Sequence, residues 1–198
     1  MTVVGAAAVS AVIGGCHAAP TSDGPVRVLE YQSVADLEAE ARAHGWDTQV
    51  ALLADGVVTA ADYEQAIDDT RACAEARANG ITEPVLSPID NLTWEFAFPI
   101  GALPEDQVWA ISDECSQQHL WSVQTAYVAT HDAVMDDDIR MATLACMADL
   151  GHEIVGDVRN AREMAERIDH EREPDLADCI GDSEVRLRPD LASVGVSW

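Results

Sequence analysis

A mostly α-helical fold with a small β-hairpin, an α+β domain stapled by disulfides, is what three features of this sequence predict. Apolar residues recur at helical spacing over several stretches, each bounded by residues that start or stop helices. One stretch, Leu92, Trp94, Phe96 and Phe98, instead alternates with Thr93, Glu95 and Ala97, the period of a strand with one buried face. Four cysteines, Cys73, Cys115, Cys146 and Cys179, lie far apart along the chain, an even number of the kind that pairs in an oxidising compartment.

The chain begins with a charge-free apolar stretch, residues 1–15, that closes on Val12, Ile13, Gly14, Gly15 and Cys16. A signal peptidase at a membrane needs a short apolar segment and then small residues that let the backbone enter its active site. The run resembles a bacterial lipoprotein signal with a lipobox. That resemblance implies cleavage before Cys16 and lipidation of its thiol, an extracytoplasmic location, and attachment to the cell membrane. Each buried methylene of such an anchor contributes about 0.8 kcal/mol, and two chains hold stably. Met1 is followed by Thr2, Val3 and Val4 rather than by positive charge, which points to a start codon upstream. Residues 16–28 contain Pro20, Thr21, Ser22, Asp23, Gly24 and Pro25 and form the expected leash. At roughly 3.3 Å per residue it spans up to about 40 Å. Residues 29–198 are then expected to form a single helical domain with two disulfides.

Ser33 and Asp36 make a capping box ahead of the first helix, which Gly45 ends. A short helix is expected over 48–54. After the Asp55–Gly56 turn, Thr59 caps a helix whose Tyr63, Ala66, Ile67, Thr70, Cys73 and Ala74 share a face, with Gly80 as its stop. Asp90 and Asn91 turn the alternating strand back on residues 85–89, where Pro84 and Pro88 allow only an edge strand. Pro104 and Glu105 open one long helix with Cys115, His119, Val123 and Tyr127 in a single stripe. Asp136, Asp137 and Asp138 place negative charge where the next helix dipole favours it. Its inner face is Ile139, Ala142, Thr143, Cys146, Met147 and Leu150, before Gly151. A further helix is expected over 157–171, buried through Val158, Ala161, Ala165 and Ile168. Pro174 starts a short turn of helix carrying Cys179, and the tail after Gly181 reads as irregular. Four cysteines allow three pairings. Cys73 with Cys115 and Cys146 with Cys179 is favoured, since each joins a helix ending at a Gly to the next Cys along the chain.

The formal net charge of −25 comes from 36 acidic against 11 basic residues, all of them Arg. Such a surface repels nucleic acid, which requires a basic footprint. It also repels anionic headgroups, so attachment to a membrane has to come through the lipid. Asp55, Gly56 and Asp62 fit the second half of a calcium loop, but Ala51 and Leu53 stand where its first oxygen ligands belong. Asp136 to Asp138 with His131 and Asp132 are better read as a solvated helix start than as a metal site. The cysteines lack the CxxC spacing of zinc. Neither metal nor cofactor is expected. No GxSxG elbow, free thiolate or phosphate loop is present, and His119 fits a semi-buried histidine. Trp94, Trp109, Trp121 and Trp198 form a rich aromatic set, in which Trp109 and Trp121 are the candidates for a ligand-binding surface.

The lipobox, the DGxVTxxDY segment over 55–63 followed by Cys73, then Cys115 with Val123 and Tyr127, then Cys146 and Gly151, resemble a group of uncharacterised actinobacterial cell-envelope lipoproteins. The likeness covers residues 55–151 and implies location rather than activity. Two readings follow: a tethered module that binds an unknown protein or small molecule, and an extracytoplasmic hydrolase using paired carboxylates. A deep pocket with convergent carboxyls of raised pKa would favour the second, an exposed aromatic patch the first.

Overall fold

The computed structural model describes residues 33–191, all within one compact unit. The signal, Cys16, the leash, Val194, Val196 and Trp198 lie outside the described residues. Among the described residues are eight α-helices and one two-stranded antiparallel sheet, the expected fold class. No helix among them is long and apolar enough to cross a membrane.

Helix α1 (Val34–His44) opens on the Ser33–Asp36 capping box and closes on Gly45 at φ 73°. Trp46 precedes α2 (Asp47–Leu53), and Thr59 with Asp62 makes the second capping box, on α3 (Ala60–Ala76). The left-handed residue after α3 is Ala78 (φ 61°) rather than Gly80. Arg77 forks onto Glu114 and Cys73 is bonded to Cys115, so tertiary contacts fix this terminus against the preference of alanine.

Strands β1 (Val85–Leu86) and β2 (Trp94–Glu95) pair Val85 with Glu95 and Leu86 with Trp94. Asp90 accepts from the Leu92 and Thr93 amides, and Asn91 takes the left-handed conformation that Asn tolerates (φ 54°). The predicted hairpin is present but short, and its alternation does not become alternate burial: Leu92 is buried, whereas Trp94, Phe96 and Phe98 are half-buried.

The long helix expected from Pro104 is two helices, α4 (Glu105–His119) and α5 (Trp121–Thr130), broken at Leu120. Gln49 of α2, fully buried, fills the break. Its Nε2 donates to the Gln117 carbonyl and its Oε1 accepts from the Ser122 amide, both at 2.7 Å. An uninterrupted ladder would instead pair that carbonyl with the Trp121 amide and that amide with the Gln118 carbonyl.

Helix α6 (Asp137–Asp149) buries Ile139, Thr143 and Met147, while Leu150 ends exposed beyond it. Helix α7 is only Ala161–Ala165, capped by Asn160, rather than the expected span over 157–171; a 3₁₀ turn, His170–Arg172, follows and leads directly into the last helix. The extended backbone of Asn160 (φ −151°) sets the start. Helix α8 (Glu173–Leu187) corrects the reading of the tail: it runs through Gly181 and buries Leu176, Cys179, Ile180, Ser183 and Glu184.

The apolar residues gather in three clusters. The first joins α1, α2, α3 and α5 around Tyr63 and Leu53. The second joins α6, α7 and α8 around Met147, Met164 and Ile180, with Ile89 from the hairpin. A small third surrounds the Cys73–Cys115 disulfide. The Cys146–Cys179 disulfide ties α6 to α8 within the second. The segment from Ile89 to Phe98 touches all three, and Asn91 Nδ2 donates to the Val134 carbonyl (2.7 Å) just before α6.

Candidate functional site

A groove of about 410 Å³ opens between α4, α5 and the chain from Trp94 to Ile100, within the size range of small-molecule sites. The break at Leu120 is what builds it. On one straight helix Trp109 and Trp121, twelve residues apart, would point about 120° away from each other. With α5 restarted after Leu120, both line the same groove. Trp109 is 58% and Trp121 54% exposed, and Ile100 beside them is 63% exposed. The floor is apolar, with buried Val108 and Leu120. Ser112, Ser116 and Gln124 add polar groups on the helical side, and Phe96 and Phe98 add rings on the other.

Each wall has a support beneath it. The phenol oxygen of buried Tyr63 accepts from the Trp94 amide at 3.3 Å, which fixes β2 against α3. Burial raises the Tyr63 pKa, so it stays a neutral phenol. Trp109 Nε1 donates to Glu105 Oε1 at 3.3 Å, one turn back along α4.

No protein family, curated protein or solved structure matches this chain.

The two tryptophans singled out in the sequence are therefore brought together. Trp94, Phe96 and Phe98, which alternate in the sequence as the buried side of a strand, also wall the groove, because a two-residue ladder leaves their side chains between cluster and solvent. The other sequence candidates have structural duties. Asp62 caps α3 through the Thr59 amide (2.8 Å) and hydroxyl (2.6 Å). Asp136 and Asp138 hold Arg188 at 2.8 Å, and Asp137 holds Arg140. His119 Nδ1 lies 3.0 Å from Thr48 Oγ1, and burial holds its pKa below the usual histidine value. Among the described residues no group of His, Cys, Asp or Glu is arranged to hold a metal ion.

One carboxyl has the raised pKa that acid catalysis exploits. Glu184 of α8 is fully buried, and neither of its oxygens has a hydrogen-bond partner among the described residues. Burial first, and then the negative charge of Glu95, push its pKa up to about 7 against the opposing pull of Arg188. Glu95 lines the groove and Glu184 does not. The sequence signal for Glu184 is its spacing from Leu176 and Ile180, hidden when the chain after Gly181 is read as irregular.

Proposed function

We propose that this protein is a membrane-anchored extracytoplasmic lipoprotein whose folded domain binds a ligand through the aromatic groove of α4 and α5. The anchoring half rests on the Gly14–Gly15–Cys16 signal, and two disulfides fit an oxidising compartment. The binding half rests on one observation: Trp109 and Trp121, each more than half exposed, face a single groove with an apolar floor. Exposed indoles cost solvation that a helical domain of this size avoids by burying them, and their pairing over a concavity is a feature of binding surfaces. The alternative of hydrolysis by paired carboxylates has Glu95 and Glu184 as its best pair. A fully buried Glu184 outside the groove has no route to a substrate, so binding is the better reading.

The test takes the full chain expressed in a bacterium that processes lipoproteins. Native protein should partition with membranes and carry diacylglyceryl on Cys16, and Cys16→Ser should free it. A neutral apolar dye should brighten on the wild type and lose that signal in Trp109→Ala/Trp121→Ala. An unmodified Cys16 in soluble protein sinks the anchor; dye binding untouched by the double substitution sinks the groove.

A further inference from the structure

The walls of the groove restrict the charge of what it can hold. Among the described residues lining it, Glu95 is the one charged side chain and none is basic. The whole chain carries a net −25, so its field drives anions away and concentrates cations near a low-dielectric cleft. Trp109 and Trp121 line that cleft, and the negative face of an indole attracts a cation placed over it. Trp109 is better prepared for this than a free indole, because the Glu105 carboxylate that accepts from its N–H pushes electron density into the ring. Apart from the Glu95 carboxylate and single oxygens on Ser112, Ser116 and Gln124 the lining is apolar, and among the described residues no cluster of His, Cys, Asp or Glu is arranged to hold a strongly hydrated ion. A cation that enters must shed its water at little cost and must present carbon to the apolar floor.

We infer that the groove binds a free organic cation whose positive nitrogen carries alkyl groups, held between the faces of Trp109 and Trp121. This rests on the binding reading above and adds the ligand's class. Alkylated ammonium is the chemistry that fits, since its charge is diffuse and its surface is hydrocarbon. The polar groups of Ser112 and Gln124 are then free to take a hydroxyl on the ligand's other end.

The probe pair is choline and 3,3-dimethyl-1-butanol, which share a shape and differ in charge. Binding to the full chain is read by tryptophan fluorescence and calorimetry. Choline should bind about tenfold or more tightly than its carbon isostere at low salt, and should weaken severalfold by about 0.5 M NaCl. Trp109→Ala and Trp121→Ala should each remove about tenfold in affinity. Glu105→Gln, which keeps the fold and the hydrogen-bond acceptor while deleting the charge, should remove about two- to fivefold. Equal affinity for choline and the isostere overturns the inference, as does choline binding indifferent to both tryptophans. Binding of the Cys16→Ser protein to phosphatidylcholine vesicles without binding of free choline overturns it in favour of a lipid headgroup. If the neutral dye binds the groove and choline does not, this inference falls and the binding reading stands; if neither binds, both fall.

Discussion

Gln49 sets the direction in which α5 leaves α4, and with it the existence of the groove. A buried primary amide is costly unless its donor and acceptor are both used. Here each meets a backbone group that the break at Leu120 would otherwise leave bare. Replacing Gln49 by Leu keeps the volume and strips both partners from the Gln117 carbonyl and the Ser122 amide. At about 1–3 kcal/mol for each buried group left unpaired, the expected loss is about 3 kcal/mol, measured by urea unfolding. Dye binding at Trp109 and Trp121 should weaken in the same variant, because without the Gln49 amide nothing fixes the direction in which α5 leaves α4. This is also where the sequence was least legible. Nothing near Leu120 announces a helix end, neither Pro nor Gly, and the stripe of Cys115, His119, Val123 and Tyr127 continues across it. The side chain that breaks the ladder comes from α2, some seventy positions away, and local periodicity carries no information about it. Trp109 and Trp121 were legible as candidates from their chemistry, but their convergence on one groove was not.

Elements whose ends are set by their own neighbours are legible in the sequence, and those set by distant partners are not. The two capping boxes, the αL Gly45 and the Asp90–Asn91 turn are local hydrogen-bond devices that the sequence spells out, and the acidic start of α6 is a local charge preference. Helix α8 is the counter-example. Gly181 costs about 1 kcal/mol relative to Ala in a helix interior, which makes it look like a stop. Burial of Leu176, Cys179 and Ile180 in the cluster shared with Ile139 and Met147 of α6 offsets that cost. The cysteine pairing was readable because each bond joins consecutive cysteines along the chain, and both bonds bring their Cα atoms to 5.7 Å. The Cys146–Cys179 bond closes a loop of 33 residues, worth about 4 kcal/mol by chain entropy. The second cluster contains no buried residue from α1 to α5. Converting both cysteines to Ala should therefore lower hydrogen-exchange protection in α6 and α8 well before it does so in α1 to α3. Uniform loss across all helices would show instead that the clusters unfold as one unit.

At the scale of the whole molecule, two sets of carboxyls pull stability in opposite directions with pH. Glu184 holds its proton up to about pH 7 in the fold, against an ordinary value of 4.5. The folded state therefore binds this proton more tightly than the unfolded chain, and stability falls as pH rises from about 4.5 to about 7, by about 3 kcal/mol in all. General repulsion among 36 acidic side chains adds to that alkaline loss. On the other side, hydrogen bonds hold Asp36, Glu114, Asp138 and Glu163 below their usual range, through Ser33, Arg77, Arg188 and Arg159. Their contributions are present above the ordinary carboxyl range and disappear as pH drops through their lowered values; being exposed, each is small. His119, kept neutral by burial, also costs stability once the unfolded chain begins to protonate below its usual value of 6.5. The sum is a dome with its top near about pH 5–6, to be read from urea unfolding across pH. Glu184→Gln separates the two alkaline causes. It should gain about 3 kcal/mol more at pH 8 than at pH 4 and flatten the alkaline limb, whereas added NaCl should lift that limb in both proteins by screening without removing the difference between them. Parallel pH profiles for wild type and Glu184→Gln would mean that the buried carboxyl ionises freely, through water or a partner that reaches it in solution.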